Sequence, residues 1–275
     1  MNKRLFILDA CTLINLLRID QDEILYDHLT SFNIKIAETV YQEFNANIFK
    51  NGYTAELRDR INRYRTTLSS YIEQNKTIKA NISNKLCEEI KAFTLHDKED
   101  GEFYSLLLSL YLSRYEMTQI NLYTDDKPAT DQFSEYFVFQ QLGLLGDSID
   151  LIIYMFCHSD KISEVDLNRF LDNLKSEYNI SERVFVKEIE EYRANITNNK
   201  SNKNIISILD DIIYGYRSGD NIKLYRAIEK LESYNDKGIR QIIRKNRPHP
   251  SSSYLIKKAN KIQHTLTQYK LFKIA

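Results

Sequence analysis

Four acids in this chain could do chemistry together, because each lies close to the end or the start of a short apolar run. Asp9 ends the run LFIL, Glu43 lies in VYQEF just after Asn33–Ala37, Glu102 opens the apolar stretch GEFYSLLLSL, and Asp126, preceded by Asp125, follows INLYT. A short continuous apolar run is the pattern of a strand buried on both faces. An acid at the carboxyl end of such a strand stands in the crevice where open α/β sheets bind ligands. Carboxylates meeting in one crevice repel each other unless cations neutralise them, and an all-oxygen donor set suits Mg2+ or Mn2+. The chemistry such a set supports is metal-assisted phosphodiester hydrolysis. Each acid also has an ordinary reading. Asp9 and Asp100 precede helical patterns and make good N-caps, and Glu43 taken alone is a solvated helix residue.

The elements that must position these acids are legible in outline. Strands are expected at Leu5–Leu8, Asn33–Ala37 and Ile120–Thr124, with Pro128 ending the third. Thr12–Arg18, Asp22–Leu29 and Phe103–Tyr115 read as helices. The 24 residues from Glu102 to Asp126 accommodate a helix, a loop and a parallel strand. Between Glu43 and Glu102, residues 54–95 read as a pair of long amphipathic helices turning at Asn75–Lys76. Their apolar series are Leu57, Ile61, Tyr64, Leu68, Tyr71 and Ile78, Ile82, Leu86, Ile90, Phe93. Arg58, Arg60, Arg63 and Arg65 on the first of them form either a solvated face or a phosphate-holding one.

Composition bounds the rest. With 275 residues, 43% hydrophobic and 28% charged, and only seven Gly and three Pro, the chain reads as soluble, globular and helix-rich. Cys11, Cys87 and Cys157 are too scattered for a disulfide framework or a zinc site. No apolar run approaches the ~18 residues of a membrane span, so a cytoplasmic protein with no membrane partner is expected. A polar connection near His158–Ser163 suggests two domains, 1–158 and 159–275. The second carries helices at Val165–Tyr178, Ser181–Ile196, Ile205–Tyr216 and Ile222–Tyr234. Residues 237–275 hold ten Lys and Arg and no acid, against 28 basic and 38 acidic residues before them. Arg240, Arg244, Lys245, Arg247, Lys257, Lys258 and Lys261 are therefore candidates to contact a phosphate backbone. The other reading of this stretch is docking on the protein's own acidic surface.

The ordered set, Asp9 in LFILDACTLI, Glu43 in VYQEF, Glu102 in DGEFYSLLLSL and Thr124-Asp125-Asp126 in LYTDDK, followed by Gly143-Leu144-Leu145-Gly146, resembles the motifs of the PIN-domain nuclease family over about residues 4–150. The resemblance implies an α/β fold, a three-layer α/β/α domain with a central parallel sheet, followed here by an all-helical carboxyl-terminal region. It implies a Mg2+- or Mn2+-dependent endonuclease acting on RNA, single-stranded or transfer RNA, more than on DNA. Asp9, Glu43, Glu102 and Asp126 would be its metal-binding acids, with Asp125 the alternative to Asp126, and Thr124 would position the site. Homodimers are common among such proteins, and a toxin or phage-defence effector restrained by an inhibitory protein partner fits the resemblance too. Two departures stand out: Cys11 occupies a position where the family often has Ser or Asn, and the 54–95 insertion widens the gap between Glu43 and Glu102. Haloacid-dehalogenase-like phosphatases need a second acid where Cys11 stands. The rival reading is a catalytically silent PIN-like nucleic-acid-binding or scaffold protein.

Overall fold

The five apolar or small-residue runs that form strands all pair in parallel. A computed structural model describes residues 4–48, 55–218, 220–246 and 252–268. The strands are β1 (Arg4–Leu8), β2 (Ile34–Ala37), β3 (Ile72–Glu73), β4 (Gln119–Tyr123) and β5 (Gly143–Gly146), in the order β3-β2-β1-β4-β5. Leu5–Leu8 and Ile120–Tyr123 are buried throughout, as strands covered on both faces must be. β1 and β4 run in register from Arg4 opposite Gln119 to Leu8 opposite Tyr123, and β2 flanks β1 on its other side. Successive strands step one way from β1 to β3, and then β4 and β5 are added on the opposite side. The order therefore reverses between β1 and β4, and the crevice at such a switch point is where open α/β sheets take their ligands.

The chain is otherwise mostly helical. Helices α1 (Ala10–Ile19), α2 (Ile24–Ser31) and α3 (Glu38–Asn47) accompany the first two strands. They are followed by α4 (Ala55–Ser69), α5 (Asn75–Asn81), α6 (Asn84–Thr94), α7 (Gly101–Tyr115), α8 (Lys127–Gln140) and α9 (Ser148–Cys157). Helix α7 is buried from Phe103 to Leu110, nearly all round, because it packs against β1, β2 and β4. The expected helical pair over 54–95 is corrected. Ile72–Glu73 leaves the helical pattern and joins the sheet beside β2, where the Tyr71 carbonyl accepts the Ile36 N–H at 3.0 Å. Asn75 opens a helix instead of turning one. The helix then breaks at Ile82, and Ser83 caps α6 by accepting the Leu86 N–H at 3.2 Å. The arginines of α4 have local work: Arg60 donates to the Asp20 carbonyl, and Arg63 pairs with Glu23.

Beyond the sheet come α10 (Glu164–Ala194), a 3-10 turn at Lys200–Asn202, α11 (Lys203–Ser218), α12 (Asn221–Glu232), α13 (Lys237–Asn246) and α14 (Ser252–Gln268). Two helices are expected from the sequence over 165–196. The chain forms one, since Asn179 to Ser181 includes no Gly or Pro to stop it. Two compact units result. One is built from residues up to Leu174 together with those from Lys258 onward, and the other spans Lys175–Lys257. The boundary expected near 158 falls inside the first. The second unit has its own core of Phe185, Ile189, Leu209, Ile212, Leu224 and Leu231. There Gly215 admits α12 closely, since a Cβ would meet the Leu224 backbone nitrogen at 2.7 Å. Among the described residues no helix is long and apolar enough to cross a membrane.

Candidate active site

Asp9 leaves β1 at the switch point and is only 1% exposed. It occupies the N-cap position of α1, yet its side chain makes no capping hydrogen bond. Its Oδ2 accepts from Cys11 Sγ at 2.7 Å and from Thr124 Oγ1 at 3.1 Å. Its Oδ1 is buried without a hydrogen-bond partner. Burial pushes the Asp9 carboxyl up, Cys11, the Ala10 backbone and Thr124 pull it back, and nearby Asp126 adds to the rise. Burial, then Asp9 and Asp125, push the Cys11 thiol well up, so it stays protonated and keeps its hydrogen to donate. The Asp125 N–H in turn donates to Cys11 Sγ at 3.3 Å. A thiol thus does here the hydrogen bonding for which a hydroxyl or amide is more usual.

The other acids arrive from three elements. Glu43, on the helix after β2, accepts the Gly101 N–H at 2.9 Å. Burial pushes its carboxyl up to about 7 against that bond, and Asp9 and Asp100 contribute by repulsion. Gly101 is small for a reason: a Cβ there would overlap Glu43 Oε2. Asp100 caps α7 by accepting the Phe103 N–H at 3.2 Å, as its ordinary reading requires. Glu102 lies in the first turn of α7, where burial, then Asp9, push it up to about 9. Asp126 caps α8 by accepting the Ala129 N–H at 3.1 Å, while its own N–H donates to Thr124 Oγ1 at 3.1 Å. One hydroxyl, that of Thr124, therefore ties Asp9 to Asp126.

Asp125 and Asp126 part company. Asp125 Oδ1 accepts the Ser148 N–H at 2.7 Å, and its Oδ2 accepts Ser148 Oγ and Asn15 Nδ2, both at 2.5 Å. Both its oxygens are committed to bracing α9 and α1 against β4. Asp126 instead lines a cavity of about 370 Å3 with Glu102, His96 and Gln132. Asp9 and Glu43 are not among its lining residues.

The all-oxygen donor set and the unpartnered Asp9 Oδ1 fit a hard divalent cation. As the side chains stand, no group of three or more His, Cys, Asp or Glu among the described residues is gathered closely enough to hold a metal ion. The four acids are linked instead by mutual repulsion.

The basic carboxyl-terminal candidates do not form one surface patch within one unit. Arg240 and Lys257 are exposed or half-buried and belong to the second unit, whereas Lys258 and Lys261 belong to the first. The Lys258 ammonium is held between Asp147 Oδ2 and Asp150 Oδ2, each at 2.6 Å, so it docks on the protein's own acids rather than offering itself to phosphate. Arg247 lies outside the described residues, and Arg244 and Lys245 are described only as part of the α13 backbone.

No family model, curated protein or solved structure matches this chain. Sequence reasoning misses the roles of Gly101, Ser148, Asn15 and His96. Gly101 alone carries a signal, a glycine directly after a capping Asp, where a side chain would ordinarily favour the helix. Ser148 and Asn15 reach Asp125 from 23 and 110 residues away, and no local pattern reports that.

Proposed function

We propose that the chain is a divalent-metal-dependent endoribonuclease built on a PIN-like three-layer α/β/α unit. The observation that supports this most is the Asp9 carboxylate, delivered to the switch point of a parallel sheet, buried, and left with one oxygen unpartnered. A solitary buried acid in that condition is costly, and Glu43, Glu102 and Asp126 raise the cost. Asp9, Glu43, Glu102 and Asp126 would hold the cation, which when bound supplies an activated water and steadies the leaving oxygen. Cys11 and Thr124 orient Asp9 by holding its Oδ2, so that Oδ1 faces its ligand. The Gly101 N–H does the same for Glu43. Glu102 keeps its proton at neutral pH and gives it up when a cation takes its place.

One observation favours the silent nucleic-acid-binding reading instead: among the described residues no three of these acids are grouped to hold an ion as they stand. Cleavage of single-stranded RNA and transfer RNA in Mg2+ or Mn2+ separates the two. The expected outcome is cleavage lost in EDTA and reduced at least about a hundredfold in Asp9→Asn and Asp126→Asn, since even outer-shell changes cost about 10- to 100-fold. Equal residual activity in wild type and both variants refutes the nuclease reading.

A further inference from the structure

Glu102 and Asp126 come from the starts of two different helices, and one side chain spans the gap between those helices. His96 follows Leu95, whose left-handed backbone (φ 56°) ends α6 and turns the chain toward the cavity. The His96 Nε2 lies 2.8 Å from Asp100 Oδ1, the cap of α7, and its Nδ1 lies 3.0 Å from Gln132 Oε1 on α8. The ring meets Phe133 of α8 edge-on at 5.3 Å, which fixes its plane. Its side chain is 14% exposed. The Asp100 oxygen that takes His96 is also the one that caps Phe103. The imidazole therefore grips the start of α7 by its cap and α8 at its second turn.

We propose that His96 is a positioning residue that sets the separation of Glu102 and Asp126 for a shared cation. It rests on the metal-site reading above and adds a residue outside the acid set. Fixing the cap fixes the first turn of α7, which carries Glu102 and the Gly101 N–H that holds Glu43. Fixing Gln132 fixes the helix that Asp126 opens. An outer-shell group hydrogen-bonds the metal's ligands; His96 acts one step further out, through the Asp100 cap and Gln132, on where those ligands stand. Gln132 serves the ring in either protonation state, since an amide offers both a donor and an acceptor.

The test is Mn2+ binding to the full chain, read by electron paramagnetic resonance of the free ion, with folding followed by circular dichroism in EDTA. His96→Ala is expected to weaken Mn2+ binding at least about tenfold, the low end for outer-shell losses, and added imidazole is expected to restore it. A folded His96→Ala with wild-type Mn2+ affinity, or a loss that imidazole does not reverse, overturns the proposal. Gln132→Ala removes only the Nδ1 partner and is expected to cost about threefold, below the outer-shell range. Where His96→Ala does not fold, unchanged affinity in Gln132→Ala overturns the proposal. Wild type that binds no Mn2+ overturns the metal site and the clamp together, whereas normal wild-type binding with indifferent variants overturns the clamp alone.

Discussion

Two groups of acids in the same compact unit handle their charge in opposite ways. At the start of α9, Asp147 and Asp150 form a reciprocal capping box and share the Lys258 ammonium, brought back from α14. Burial and Asp150 still hold Asp147 up to about 6, so Asp147 is mostly ionised at neutral pH with its cation built in. At the switch point, Asp9, Glu43, Glu102 and Asp126 make no ion pair with a described lysine or arginine. Protons carry part of the load there, with Glu43 at about 7 and Glu102 at about 9. A cluster neutralised by the chain's own lysine is architecture. One left to protons has no cation of its own.

That contrast can be broken at three points. Lys258→Ala strands two acids, one of them well buried, and is expected to destabilise the protein by about 3 kcal/mol in urea unfolding. A loss under about 1 kcal/mol would make the ion pair ornamental. Glu102→Gln should act in the opposite direction, stabilising the EDTA-treated protein by about 1–2 kcal/mol at pH 8, because a neutral amide no longer has to take up a proton on folding as the carboxyl does. The pH dependence has a fixed sign. A carboxyl held above its ordinary value of 4.5 binds its proton more tightly when folded. The contribution of Glu43 and Glu102 to stability in EDTA is therefore fullest below 4.5 and falls as pH rises through about 7 and about 9, their respective values. Glu102→Gln should flatten the upper part of that fall, and saturating Mg2+ should do so without mutation. The smallest effect is expected for Cys11→Ser, which keeps a donor toward Asp9. Melting should shift by less than about 1 kcal/mol equivalent, whereas Cys11→Ala should shift it more.

The parts of this picture that can be read from the chain are those set by local pattern. LFIL and INLY announce buried strands because each is a short, largely apolar run bounded by polar residues, and so the acids that follow them can be paired in advance. Ile72–Glu73 cannot, since a two-residue strand has no periodicity and exists only because β2 offers it an edge. Asp125 and Asp126 are indistinguishable in sequence. What separates them is Ser148 and Asn15, which meet Asp125 only once α9 and α1 have docked. The same holds for Lys258, whose basic neighbourhood suggests a phosphate contact until Asp147 and Asp150 claim it. His96 gives no signal because its partners, Asp100 and Gln132, are four and 36 residues away, and only the first distance is helical.

The order of the units along the chain gives synthesis a timetable. Lys258 emerges from the ribosome 108 residues after Asp150, an interval of about 5–20 s at the usual 5–20 residues per second. By its start the sheet and the switch-point acids have been made, and within it α9 is completed and the whole of Lys175–Lys257 is translated. For those seconds Asp147 and Asp150 lack their lysine, right beside the Ser148 that braces Asp125 at the site. Helix α14, made after Lys175–Lys257, thus completes the unit made before that stretch.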